Sequence, residues 1–482
     1  MLGSKRPWIL GSVSKPCRAF HDHLPNVYCR ACQRLDWVSH KHECKAIVFM
    51  IAQLGRLPTP TILLVMRLLH KLNNKQLGWG ELTRLHGHMK QRSRKNAAAL
   101  KEMARIAIAG YMAGLMKPGE SSNDTRCLDT DAVAELIAQV ECNAFTVTDS
   151  LSSHGDAVGT ALYLKEAVLL NHSCAPNCCA VFSCLDHELR AEVRCLQRVQ
   201  PEEELTIGYT ELARPTRMRR QCLQEGYYFF CTCVRCCRGG DAALDGWCMH
   251  SCALSSLACS SPCLPSTRQC PQGCGGVATI AGAGSGDQEE EARMGIRRYR
   301  QWVGMEGSSP DNQAICTKCG AADSLEKLQG LSSRVEEALL QASKLQTAAG
   351  GGSEGAGERL RAAREVLERA LGAGKQGLIW YNWRMLEVLK HLTDGCVGEQ
   401  DWGMALRYAE ESLPLYREVY RFSGAFPLVG LQLARAGKLA LLLGGDEAAA
   451  HDRVAEALSL LSVTHGESST LCKQLRLQIG GG

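Results

Sequence analysis

Cys231, Cys233 and Cys236 form a C-x-C-x2-C run directly after the aromatic stretch Tyr227-Tyr228-Phe229-Phe230. This run constrains the fold more than any other feature. It places three thiols at metal-ligand spacing, and a closed structural zinc site takes four such ligands in a tetrahedron. Asn171-His172-Ser173-Cys174 offers a fourth thiol from far away in sequence. Buried free cysteines that pack as small apolar groups are the bland alternative. Tight clustering in a thiol-rich chain favours zinc, so Cys174, Cys231, Cys233 and Cys236 are expected to share one ion. If so, two remote turns must meet.

The other cysteines support a reducing environment. The chain has 482 residues and 26 cysteines, and all but Cys396 and Cys472 lie between Cys17 and Cys319. A disulfide framework is unexpected in so long a chain with metal-like pairs and no signal peptide, so cytoplasm or nucleus is expected. The length calls for several domains. Hydrophobic residues make up 45% and charged residues 22%, ordinary values for a soluble globular protein. A net charge of +5 is too small to argue for direct nucleic-acid binding. No apolar run approaches membrane-spanning length, since Thr61 to Leu69 is interrupted by Arg67.

Two further blocks precede the cysteine run: Asn171-His172-Ser173-Cys174-Ala175-Pro176-Asn177 and Glu203-Glu204-Leu205-Thr206-Ile207-Gly208-Tyr209. In this order and separation, the three blocks resemble the SET domain of protein-lysine methyltransferases, in the branch that joins SET and MYND modules. Glu141-Cys142-Asn143-Ala144-Phe145-Thr146-Val147 and Gly159-Thr160-Ala161-Leu162-Tyr163 resemble the strands just upstream. The resemblance is specific from about Val140 to Cys236 and weaker to the C-terminus.

The resemblance implies an α+β multidomain chain. Its parts would be a partial or degenerate MYND finger at 1–45, a helical SET insert at 46–139, and an irregular β SET core at 140–212. A post-SET zinc region with a cysteine-rich insert would follow at 213–320, then an all-α, tetratricopeptide-like domain at 321–482. In the finger, Cys29 and Cys32 form a C-x2-C pair, and His40 and Cys44 sit four apart, as neighbours on one helix face. They resemble half of a MYND finger. Only Cys17, with His21 and His23, stands upstream, so a remnant that binds zinc poorly is the competing reading. Family members also carry a Gly-Arg-Gly-type turn before the finger, and nothing between Met1 and Cys29 resembles it. Cys270-x3-Cys274 and Cys316-x2-Cys319 have the spacing of a small zinc ribbon, separated by the Gly-rich acidic insert Gly282 to Arg293.

Hydrophobic periodicity predicts helices around Ile62 to Leu72 and Ala97 to Met116 in the insert. Short strands are predicted at Ala144–Val147, Cys178–Ser183, Leu189–Cys195 and Leu205–Tyr209, with a polar helix at Arg214–Gln224. The C-terminal region reads as amphipathic helices at Leu339–Leu371 (broken at Ala348–Gly357), Leu378–Leu392, Trp402–Phe422, Leu428–Leu443 and Ala448–Val463. Paired helices of this size suit peptide binding on a concave face, or a plain helical cap.

By resemblance the activity is S-adenosyl-L-methionine-dependent methylation of a lysine in a histone or other protein. Asn143, Asn171 and His172 would contact the donor's amino-acid end and ribose, and Phe229 its adenine. Tyr209 would touch donor and amine, and with Tyr227 would form the catalytic pair, Tyr227 and Phe145 lining the lysine channel. Taken alone, Tyr209 is an ordinary strand aromatic and Asn143 a turn residue. The competing function is a catalytically impaired scaffold that binds peptides or partner proteins. A monomer is expected, with no membrane partner.

Overall fold

In a computed structural model, the described residues are 8–9, 43–55, 57–115, 129–148, 157–163, 170–185, 188–237, 278–280, 313–316, 322–349, 355–378 and 382–479. They divide into two compact units. One comprises residues 1–171, 180–194 and 224–229; the other comprises 172–179, 195–223 and 230–482.

The first unit is built on four helices. Residues 43–54 form α1, Pro60–Asn73 α2, Arg94–Leu115 α3 and Thr130–Asn143 α4. Local chemistry sets two of the starts. Thr59 Oγ1 accepts from Ile62 N, and Pro60 fills the first helical position, where no backbone donor is needed. Asp129 accepts from Asp131 N and Ala132 N at 3.2 Å each. The apolar stripes meet in one core that includes Met50, Leu64, Val65, Leu68, Leu100, Ala107, Leu136 and Ile137. Gly110 allows the closest approach: a β-carbon there would lie 2.6 Å from Met50 Sδ.

Three strands complete the core of this unit. β1 (Trp8–Ile9), β2 (Phe145–Thr148) and β3 (Ala157–Leu162) form an antiparallel sheet in the order β1-β3-β2, with Phe145 opposite Ala161 and Trp8 opposite Leu162. Phe145, Tyr163 and Phe182 form an aromatic knot, with Phe145 edge-on to Tyr163 at 5.8 Å. Farther along come β4 (Asn171–His172), the paired strands β5 (Cys178–Leu185) and β6 (Glu188–Cys195), β7 (Thr206–Ile207) and the helix α5 (Thr216–Tyr227).

The second unit contains a small antiparallel sheet of β8 (Ala278–Ile280), β9 (Gln313–Cys316) and β10 (Ala322–Ser324). Seven helices follow: α6 (Leu325–Ala349), α7 (Ala356–Gly377), α8 (Trp383–Gly398), α9 (Trp402–Val419), α10 (Pro427–Leu443), α11 (Glu447–His465) and α12 (Thr470–Ile479). Each packs against its neighbour in sequence. Asn382, Asp401 and Asp446 cap α8, α9 and α11. Buried Arg384 pairs with Glu336, and buried Arg435 with Asp394.

Sequence periodicity places α6 from Leu339, yet the helix begins at Leu325. Gly330, Ser332 and Ser333 weaken the local signal, and burial of Leu331, Ser332 and Val335 outweighs it. Similarly, α8 starts at Trp383 because Asn382 caps it. No helix among the described residues is long and apolar enough to cross a membrane.

Two glycines test this packing. A β-carbon at Gly437 would meet Val454 Cγ2 at 2.6 Å and Ala450 O at 3.3 Å, where α10 crosses α11. Gly437→Ala is expected to cost about 1–3 kcal/mol in urea denaturation. Gly372→Ala, exposed in α7 with nothing within 4 Å, is expected to gain about 0.5–1 kcal/mol.

Candidate functional site

The sulfur atoms of Cys174, Cys231, Cys233 and Cys236 lie within 4.8 Å of one another. Cys174 and Cys231 are 3.9 Å apart, and Cys174 and Cys236 3.4 Å. Tetrahedral zinc with bonds of about 2.3 Å sets its sulfurs about 3.8 Å apart, so donor type and spacing both fit that ion. Cys174, Cys231 and Cys236 are buried and Cys233 half-buried. Hydrogen bonds to the other three sulfurs, with burial, hold the Cys174 thiol well above the ordinary range. Cys233, which receives such bonds, is held below it.

The turn holding Cys174 is set by local bonds. Ser173 N donates to Ile207 O at 3.0 Å, Ala175 N to Ser173 Oγ at 3.2 Å, and Cys174 N to Cys233 Sγ at 3.4 Å. Arginines surround the cluster. Arg219, fully buried in α5, points one amine at Cys236 Sγ from 3.6 Å and donates to Thr216 Oγ1 at 3.1 Å. Arg220 donates to Cys231 O and Cys236 O at 3.0 and 3.2 Å, with its guanidinium 4.3 Å above the Phe230 ring. Arg235 donates to Cys174 O at 2.8 Å and lies 4.6 Å over Phe422. A dication held by four thiolates keeps a net charge of −2, which these guanidinium groups balance in a low-dielectric setting.

His172 joins the thiol cluster to Tyr209. Its Nδ1 accepts from Tyr209 N at 2.9 Å, which puts the ring proton on Nε2, 3.2 Å from Cys174 Sγ. Burial pushes the imidazole down to about 4, so it is neutral at physiological pH. Both ring nitrogens are thus committed to holding structure. The rings of His172 and Tyr209 also lie 5.5 Å apart. Asn177 fixes the preceding turn. Its amide donates to Glu203 Oε1 at 3.0 Å and Glu204 O at 2.9 Å, and its oxygen accepts from Thr206 N at 2.9 Å.

Asn143, Asn171, Tyr227 and Phe229 belong to the first unit, whereas His172 and Tyr209 belong to the second. Asn143 Nδ2 donates to His86 O at 3.1 Å and Gln139 O at 2.8 Å, so the end of α4 pins the loop at residues 85–88. Gln139 adds a bond to Leu85 O at 3.1 Å. A side chain at Gly87 would come 2.7 Å from Glu135 Oε1 and 3.0 Å from Gln139 N, so only glycine sits there without displacement. His88 and Tyr228 both hold left-handed backbone, with φ of 56° and 62°, and their rings stack at 5.5 Å. Arg92 covers Tyr228 at 5.1 Å while donating to Gly87 O and Glu141. Such strain persists only where neighbours enforce it. Burial raises the Tyr227 phenol, with Cys142 adding to the shift, so it stays protonated. Asn171 is exposed and Phe229 half-buried.

Cys29, Cys32, His40, Cys270, Cys274 and Cys319 lie outside the described residues. Cys44 is half-buried on α1, and Cys316 ends β9. Buried Arg219, the Asn177 knot and the Gly87 contact escape sequence reading. Arginine on a polar helix looks solvent-directed, and Asn177 shows only as part of a motif.

Residues 70–210 match the family model for the SET domain. Over 462 residues the chain is 25% identical to histone-lysine N-methyltransferase ASHR1 of Arabidopsis thaliana, covering 94% of this chain and 81% of that protein. It is 33% identical over 211 residues to N-lysine methyltransferase SMYD2-B of Danio rerio, covering 43% of this chain and 45% of that protein. It is 27% identical over 227 residues to histone-lysine N-methyltransferase Smyd1 of Mus musculus, covering 44% and 43%. The chain therefore matches less than half the length of the two animal proteins. These likenesses define the class: a SET-domain protein whose relatives are named protein-lysine methyltransferases. Within that class, the relatives it resembles are named SMYD and ASHR1 methyltransferases.

His172→Ala removes the acceptor for the Tyr209 amide. That amide is expected to exchange with solvent up to about tenfold faster, the equivalent of one hydrogen bond, as read by hydrogen-exchange NMR. An unchanged rate would mean that the imidazole does not hold Tyr209.

Proposed function

We propose that this chain is an S-adenosyl-L-methionine-dependent protein-lysine N-methyltransferase acting on a histone or other protein, with zinc in its thiol cluster. The single observation that carries the reading is the continuous link from the four sulfurs through His172 to Tyr209, in a chain whose relatives are lysine methyltransferases. The free-thiol chemistry fits cytoplasm or nucleus.

Bound donor supplies an electrophilic methyl group on a sulfonium. Zinc would be held by Cys174, Cys231, Cys233 and Cys236. Asn143 spends its amide hydrogens on His86 O and Gln139 O, so its Oδ1 is the atom it offers to the donor's ammonium or ribose. His172 has both ring nitrogens engaged and offers backbone instead. Asn171 adds polar contacts, and Phe229 supplies an apolar face for adenine. Tyr209 orients the attacking amine, and Tyr227, whose phenol burial keeps protonated, offers a hydrogen-bond donor. The amine attacks only when neutral, a state that desolvation favours, and alignment supplies much of the rate.

Calorimetry and methyl-transfer assays on the full chain test this reading. Tyr209→Phe is expected to reduce kcat at least about a hundredfold, the scale of a lost positioning contact, with donor affinity little changed. Cys233→Ala is expected to lose the zinc and weaken donor binding together. A Cys233→Ala protein without zinc but with unaltered donor affinity would refute the coupling. Absence of donor binding by the wild-type chain would leave the scaffold reading in its place.

A further inference from the structure

The proposed zinc cluster leaves other cysteines without a role. Two of them face each other at the base of the β5–β6 pair. Cys178 and Cys195 have sulfurs 3.9 Å apart. Two residues join β5 to β6, so the strands run antiparallel. Leu196 N donates to Asn177 O at 2.8 Å, which sets Asn177 opposite Leu196 at a hydrogen-bonding position, while Asn177 N donates to Thr206 Oγ1 at 3.4 Å. Their neighbours Cys178 and Cys195 are then a non-hydrogen-bonded pair, the position where opposing Cα atoms come closest, at about 4.5 Å. That spacing falls in the range a disulfide spans, about 4.4–6.8 Å.

The two thiols differ in access. Cys178 is fully buried and Cys195 is exposed. An oxidant therefore reaches Cys195 first, while Cys178 stays protected beside it. Burial and the bond to Cys195 push the Cys178 thiol up to about 11, which keeps it a thiol until its partner changes.

We propose that Cys178 and Cys195 are an oxidation site, in which hydrogen peroxide converts the facing thiols into one intrachain disulfide. Peroxide oxidises the Cys195 thiol to a sulfenic acid and leaves as water. The Cys178 sulfur attacks that sulfur, the S–O bond breaks, and the hydroxyl departs with the Cys178 proton as a second water. Two thiols lose two electrons and one peroxide gains them. The new bond locks Asn177, which carries the turn at Glu203–Thr206 just ahead of Tyr209. The site does not depend on the methyltransferase reading, since it needs only the hairpin.

Graded peroxide on the full chain, followed by peptide mass mapping, tests the site. The expected product is 2 Da lighter, joins the peptides carrying Cys178 and Cys195, and reverts with dithiothreitol. Cys179→Ser should keep it, and Cys195→Ser and Cys178→Ser should each abolish it. The proposal is overturned if Cys195 proceeds to sulfinic acid without pairing, if the bond survives in Cys178→Ser, or if the cluster thiols at Cys174, Cys231, Cys233 and Cys236 oxidise first.

Discussion

Four sulfur donors packed together in a buried pocket cannot all ionise unless a cation joins them. Burial alone raises each thiol, and every new negative charge raises the rest. A divalent ion reverses that balance, and the remaining double negative charge then needs its own counterweight. Arg219 beside Cys236 Sγ, and Arg220 and Arg235 on the backbone carrying the cysteines, would supply it. The arginines would thus compensate charge while fixing the path of the chain.

That centre has mechanical reach through His172. One imidazole nitrogen faces Cys174 and the other holds the amide of Tyr209. The ring is half-buried and neutral, which the accepted hydrogen bond requires. The Asn177 side chain does similar work one turn away, tying Glu203, Glu204 and Thr206 together. The strand expected over Leu205–Tyr209 is confined to β7, Thr206–Ile207, and Tyr209 lies just past it in a segment clamped at Thr206 by Asn177 and at Tyr209 by His172. In the first unit, the end of α4 pins residues 85–88 through Asn143 and Gln139. The left-handed backbone at His88 and Tyr228 is held by ring stacking and by Arg92.

Much of the architecture is legible in residue pattern. The helices of the insert and most of the C-terminal helices fall where apolar spacing places them, because each stripe has a core to bury it. The errors lie where local signals are weak. The first turns of α6 are rich in Gly and Ser, and α12 follows a short turn without strong periodicity. Both are stabilised by contacts that residue order does not display, such as buried Leu331, Val335, Leu471 and Leu475.

By itself, the sequence determined the donor chemistry: the spacing of Cys231, Cys233 and Cys236, with Cys174 in the motif ending at Asn177, announces a thiolate centre. Ligand spacing within one turn is a local property and can be read along the chain. Only the tertiary structure decided how closely Cys174 meets the other three sulfurs, that His172 spends both nitrogens on structure, and that a buried arginine faces the sulfurs. Those outcomes depend on distances between residues far apart in the chain. Such distances follow from how whole elements bury their apolar faces, and no short stretch of residues encodes them.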